Sequence, residues 1–375
     1  MAALPTVGGS TNVWGDELNA YLNVEHTAGG FHQSFAGPLA VAGKITSASL
    51  DITGITDGYV PYLGSGVLAA SPLFTDGTNI GIGTTSPGQA LDLVGSLELE
   101  TTTSSTTGVI YKGTDRFIHT FSHPTGSTDI PAGFNTFIGI GAGNFTMGST
   151  ATSVNHGSYN VASGYRALYS NTTGSSNVAS GYQTIYSNTT GSFNAASGSL
   201  ALYANTTGSY NVASGYQTLY SNTTGSYNVA SGYQTLFSNT EGNNNTASGY
   251  SALYSNTTGS SNTASGSRAL YSNIEGNNNT ASGYNAGRYI AGGSTPNETS
   301  NNSLFLGYDT RANADGETNQ IVIGASAIGN GSNSATLGNS SITKTVLRGN
   351  VGIDTTTPDY KCHVNGTFGC AQAHR

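Results

Sequence analysis

Residues Ser209–Thr240 read SYNVASGYQTLYSNTTGSYNVASGYQTLFSNT. The phrase Asn-Val-Ala-Ser-Gly-Tyr-Gln-Thr-Leu occurs twice, its second copy displaced by 17 residues. The register runs on in both directions. The opening Asn recurs at Asn160, Asn177, Asn194, Asn211, Asn228, Asn245, Asn262 and Asn279, every interval being 17. A Gly follows four residues later, from Gly164 to Gly283, and a second Gly recurs from Gly174 to Gly276. An aliphatic residue keeps step (Leu168, Ile185, Leu202, Leu219, Leu236, Leu253, Leu270), each followed by Tyr or Phe. Fixed short-period self-similarity is the mark of a solenoid. Seventeen residues is too short for a helical-pair repeat and suits one coil of a β-solenoid. Each copy offers two extended runs, Asn211–Ala213 and Gln217–Tyr220, between turns at Ser214-Gly215 and Asn222–Gly225. Stacked coils place identical residues about 4.8 Å apart, and stacked Asn side chains form hydrogen-bonded ladders.

The chain has 375 residues, of which 8% are charged, against roughly 25% in typical domains. Stacking explains the deficit, because like charges on adjacent strands repel. Residues 151–290 hold five charged side chains (Arg166, Glu241, Arg268, Glu275, Arg288) and sixteen of the 22 tyrosines. The net charge of −8 argues against a nucleic-acid partner. No stretch has the ~18 apolar residues of a membrane span. The N-terminus MAALPTVGGSTNVWGDE has no basic n-region and no apolar h-region, which argues against Sec-type secretion. Cys362 and Cys370 are too few for a disulfide framework. With one Leu and one or two aromatics per coil, the expectation is a thin core, and packing three chains around one axis is a natural remedy.

The pattern NVASGYQTLYSNTTGSYN resembles the repeats of bacteriophage tail fibres and, more distantly, the head repeats of trimeric autotransporter adhesins. Flanking coils carry a large apolar residue before Gly, at Ile138, Leu306, Ile323 and Leu337, where the central copies carry Ser163, Ser180 and Ser197. A buried Ser would need a hydrogen-bond partner, so the central coils are expected to wind differently. Two further stretches, NIGIGTTSPGQALDLVGSLEL from Asn79 and NVGIDTTTPDYKCHVNGTFG from Asn350, are copies of one module bracketing the repeats. It resembles a module of tail fibres and tailspikes that often precedes a self-cleaving trimerisation chaperone. That resemblance implies Arg375 as a self-cleavage end. The leader LPTVGGSTNVWGDELNAYLNVEHTAGGFH resembles the segment joining tail fibres to the tail. Its expected short helix, capped at Asn12, puts Trp14, Leu18, Tyr21 and Leu22 on one face for virion attachment.

Catalytic chemistry has little to stand on. Glu241 and Glu275 share one register two repeats apart, so ~10 Å apart if stacked, at the outer limit for an inverting glycosidase pair. His119 and His123 have i,i+4 spacing without the Glu of a zinc motif, although one His per chain of a trimer could face an axial metal. The glycines of Gly81–Ser86 and Gly139–Asn144 lack the Gly-Lys-Ser/Thr ending of a phosphate loop and read as corners. The Asn-Thr-Thr sequons read as turn chemistry. Tyr165, Tyr182, Tyr216, Tyr233, Tyr250 and Tyr284 have two readings: a sugar-stacking surface, since aromatics offer an apolar face with a polar handle, or a structural ladder.

The expectation is an all-β, elongated homotrimeric β-solenoid fibre with a short N-terminal helix, and no enzyme, cofactor or metal. Residues 1–35 attach to the virion, 36–78 form a shaft or linker, and 79–130 the first module and connector. Residues 131–345 make the repeat rod and 346–375 the terminal module. The resemblance implies a virion location, a tail or baseplate protein as partner, and a host surface glycan or protein as receptor. An autotransporter-type adhesin, or a monomer binding polysaccharide or ice, are the competing readings.

Overall fold

The structure, a computed structural model, describes residues 59–64, 67–76, 78–100, 102, 104, 107–348, 351–353 and 362–364. Every regular element among them is a β-strand, and none is a helix. The expected N-terminal helix with Trp14, Leu18, Tyr21 and Leu22, the expected cleavage end Arg375, and Cys370 all lie outside the described residues.

The chain divides into two units, residues 1–98 and 99–375. In the first, β1 (Tyr59–Gly64), β2 (Val67–Thr75), β3 (Ile80–Ile82) and β4 (Leu91–Leu93) form one sheet in chain order. The last pair is parallel, Ile80 opposite Leu91, an offset of 91 − 80 = 11 residues.

In the second unit a 14-stranded sheet runs in strict chain order. It begins with the antiparallel strands β5 (Ile110–Lys112) and β6 (Asp115–His119). Twelve parallel rungs follow: β7 (Thr136–Ile138), β8 (Val161–Ser163), β9 (Val178–Ser180), β10 (Ala195–Ser197), β11 (Val212–Ser214), β12 (Val229–Ser231), β13 (Thr246–Ser248), β14 (Thr263–Ser265), β15 (Thr280–Ser282), β16 (Leu304–Leu306), β17 (Gln320–Ile323) and β18 (Ser334–Leu337). This is a β-solenoid. The period of 17 holds from β8 to β15. The first coil is longer (161 − 136 = 25), as is the one after β15 (304 − 280 = 24), and the last is shorter (335 − 321 = 14). Separately, β19 (Val351–Ile353) pairs with β20 (Cys362–Val364) in parallel at an offset of 362 − 351 = 11. The two module copies therefore share one local pairing.

Each coil has one strand, not two. The expected second run, Gln217–Tyr220, is a series of turns with Gln217 and Leu219 left-handed at φ 52° and 51°. Equivalent residues repeat this in every central coil, Ile185 included. A left-handed L-residue costs about 1–2 kcal/mol. Burying the Leu219 side chain, fully inaccessible here, returns about 2 kcal/mol, and Leu219 N–H donates to the Thr235 carbonyl at 3.0 Å. The turn thus holds because it drives Leu inward. Inter-coil bonding also continues beyond the strand. Ser221 N–H donates to Phe237 O at 3.0 Å, and Thr223, Thr224 and Gly225 N–H groups converge on Thr240 O.

The interior closes within a single chain. In the coil of β11, Asn211, Ala213, Thr218, Leu219 and Asn222 are all buried. Two asparagine ladders line it. In the first, Asn194 Nδ2 donates to Asn177 Oδ1 at 3.1 Å and to Gly208 O at 2.9 Å. In the second, Asn222 Nδ2 donates to Asn205 Oδ1 at 2.8 Å and to its own turn's Gly225 O at 2.9 Å. The ladders meet, because Asn211 Nδ2 donates to the same Gly225 carbonyl at 2.9 Å. The expected amide ladders are present, and they occupy the core. The expectation of a core too thin for one chain is not met.

The strand alternation corrects a second expectation. Ser163, Ser180 and Ser197 face outward and need no buried partner; the residue before each is the inward one. The ladder pairs Phe137 with Ala162 and Ile138 with Ser163. Large interior residues therefore cap the stack, Phe137 at one end and Phe305 and Val322 at the other, while Ala fills the repeats between. The large apolar residue before Gly in the flanking coils lies outside, with Ile138 and Leu306 each 42% exposed.

Candidate functional site

The surface of the coils is organised in aromatic columns. The first lies just before each inward Asn: Phe134, Tyr159, Phe193, Tyr210 and Tyr227, all left-handed. Phe193–Tyr210 and Tyr210–Tyr227 ring centroids are 4.8 and 4.9 Å apart, nearly parallel, and Ser176 interrupts the column. Sequence reasoning missed this column. Its signal was the alternation Tyr-Asn-Val-Ala-Ser, which forces Tyr and Val outward once Asn and Ala are inward.

The second column holds the six tyrosines singled out in the sequence. All are exposed, and they do not form one ladder. Tyr165 stacks on Tyr182 at 5.4 Å; Tyr216, Tyr233 and Tyr250 stack in series at 5.3 and 5.2 Å. Tyr284 stacks on Tyr308, a ring the sequence reading left out, at 5.4 Å. Ser199 and Ser267 occupy the vacated rungs.

The third column is continuous. Tyr169, Tyr186, Tyr203, Tyr220, Phe237, Tyr254 and Tyr271 stack at 5.0–5.2 Å. Burial, with neighbouring tyrosines adding to it, raises the Tyr203 and Tyr254 phenols above their ordinary range, so both remain neutral donors. The second and third columns run side by side. The Arg166 guanidinium lies 5.1 Å from the Tyr165 ring and 5.4 Å from Tyr169. Cation–π contacts of this kind give three of the five charges of residues 151–290 a place: Arg268 lies over Tyr250 and Arg288 over Tyr271. Glu241 and Glu275 are exposed in the turns Asn239–Gly242 and Asn273–Gly276, each in place of the second Thr of Asn-Thr-Thr-Gly.

The histidine pair does not assemble a metal site. His119 ends β6, buried between Phe137 and Phe145 with centroids 4.9 Å away on either side. Its Nε2 donates to Ala142 O at 2.9 Å and its Nδ1 accepts from Phe121 N–H at 3.3 Å, so both ring nitrogens are engaged. His123 lies beyond the strand and contacts its own loop at Thr125 O. Among the described residues no three His, Cys, Asp or Glu side chains converge. The glycine corners at Gly139, Gly141 and Gly143 have positive φ, as turns require.

Burial, offset in part by the Ala142 bond and aided by the Arg116 charge, pulls the His119 pKa from 6.5 down to about 4. The unfolded chain therefore binds the proton more readily than the folded one between those values. Stability should be full above pH 6.5, fall by about 3 kcal/mol on the way to pH 4, and level off below. Thermal melting across that range checks it. His119→Phe should flatten the window while melting lower than the parent at pH 7.5, having lost the Ala142 bond.

Compared with family models, with curated proteins and with solved structures, the chain matches none of them.

Proposed function

We propose that this chain is the structural subunit of a phage tail fibre, a homotrimer that carries a virion to its host surface. The carrying observation is the outward face of the parallel ladder. Val161, Val178, Val212 and Val229 are 42–47% exposed on it, with Ala195 between them. Thr246, Thr263 and Thr280 continue the same line, and Leu306, Ile321 and Leu337 make a second exposed apolar group at 42–57% beyond them. Exposed apolar surface of this kind on a chain with a closed interior marks an association face, and three copies of one rod meeting along it cover it symmetrically. The repeats, the paired modules at residues 79–98 and 350–368, and the leader resemble tail-fibre sequence and support the same reading. In it, Trp14, Leu18, Tyr21 and Leu22 dock on a tail or baseplate protein, and the tyrosine columns meet host glycan. The chemistry is mechanical, with no catalytic or cofactor role.

A monomeric polysaccharide binder is the second reading, favoured by the exposed aromatic columns alone. Adsorption tests host contact. The fluorescently labelled full chain should stain a subset of bacterial strains saturably and be displaced by unlabelled chain. Staining of no strain, or of all strains without saturation, contradicts it.

A further inference from the structure

The second aromatic column and the polar column beside it break in the same coil. Ser199 stands where other coils carry Tyr, and Leu200 where they carry Gln183, Gln217 and Gln234. Within an unbroken stretch, Gln234 Nε2 donates to Gln217 Oε1 at 2.8 Å. At the break the ladder has no continuation. Gln217 Nε2 and the Gln183 amide have no side-chain hydrogen-bond partner among the described residues. The rings flanking the break, Tyr182 and Tyr216, each stack on one neighbour only. Both flanking rings are exposed, Tyr182 at 49% and Tyr216 at 42%. Removing one rung leaves roughly 10 Å between the flanking centroids, twice the inter-strand spacing. That is room for one six-membered ring in the place of the missing phenol.

We propose that this break is a slot for a single pyranose ring of a bacterial surface polysaccharide, held between Tyr182 and Tyr216 and hydrogen-bonded by Gln183 and Gln217. The proposal deepens the glycan part of the function proposed above and rests on it. Aromatic faces carry negative charge density and attract the polarised C–H groups on either side of a sugar chair. Convergent polar groups fix orientation in such a site. Here the polar groups in the same and adjoining coils are the Gln217 amide donor, the Gln183 amide and the Ser199 hydroxyl. A bare apolar ring would leave these groups without partners, at a cost; ring hydroxyls satisfy them. The other break, at Ser267, is different. There the Arg268 guanidinium of the vacated coil sits over the Tyr250 ring, 5.7 Å from its centroid, so a cation already contacts one wall.

The test is saturation-transfer NMR of the full chain with the methyl pyranosides of glucose, galactose, mannose and rhamnose. At least one should receive saturation at its ring C–H protons. The double variant Ser199→Tyr/Leu200→Gln restores both columns to the pattern of neighbouring coils, so it folds. It should weaken binding at least tenfold, as should Tyr216→Ala, whereas Ser267→Tyr should leave binding unchanged. No transfer to any of the four sugars overturns the slot, as does binding that survives the double variant. If the double variant stains cells as the parent does, the slot fails and host contact stands. If the parent stains no cells, the host-contact reading fails as well.

Discussion

Gly225→Ala should destabilise the solenoid by about 3–5 kcal/mol, enough to open the stack at that coil. The added Cβ would lie 2.5 Å from the Gly242 carbonyl oxygen and 2.8 Å from Asn239 Nδ2, and closer still to Asn222 Oδ1. None of these is the free end of a flexible chain. One is backbone, and the others are ladder amides fixed by their own bonds. The same carbonyl, Gly225 O, accepts from both Asn211 and Asn222, so moving the backbone to relieve the clash loosens both ladders together. Coils contact only their neighbours, so the loss is local. Limited proteolysis of the variant should cut near residue 225 under conditions that leave the parent intact, and urea unfolding should begin at lower denaturant. A variant with parental proteolysis and midpoint would contradict the crowding.

Asn222→Leu should cost a comparable amount, about 4 kcal/mol, by a different route. It removes the donations from Asn222 Nδ2 to Asn205 Oδ1 and Gly225 O, and the acceptance from Asn239 Nδ2 at 2.7 Å. Gly225 O keeps Asn211, but Asn205 Oδ1 and one Asn239 N–H are left buried and unpaired. Leu has the branching of Asn with bulkier methyl ends, so the loss of stability combines the unpaired amides with crowding at the former hydrogen-bond distances, and no cavity forms. Asn222→Asp sharpens the test. Ionised, it sets a carboxylate against Asn205 Oδ1 and Gly225 O, and burial raises its folded pKa above the unfolded value. Its stability should therefore be present at low pH and lost as pH rises through the folded pKa. Thermal melts at pH 4 and pH 7 check the sign: the Asp variant should close part of its gap to the parent at pH 4.

The solenoid and its period were legible because a coil stacked on copies of itself gives each position one environment. The asparagine at 211 could be read as a ladder residue because seven others share its register. What escaped was local. Leu219 and Gln217 adopt a left-handed backbone that no propensity scale assigns to them, so their run read as extended. The facing of the strand was misjudged because Ile138 and Leu306 suggest an inward position that Ser163 and Ser282 deny. The pairing of Phe137 with Ala162 settles it. Of the candidate site, the Tyr216 column was legible by spacing. Its division into separate stacks by Ser199 and Ser267 was visible in the letters but had no meaning until ring stacking showed each column to be a contact series. The Tyr210 column went unnoticed because its position is shared with Ser176 and Asn244.

The central claim is that three of these chains form one fibre, and the native mass tests it most directly. Light scattering on the purified full chain, before and after boiling in detergent, is the measurement. One chain is 38.1 kDa, so three make 3 × 38.1, about 114 kDa. A particle near that mass that withstands cold detergent and falls to the single-chain value on boiling is the expected result. A single chain in native buffer would contradict it, and the exposed ladder face would then need another occupant.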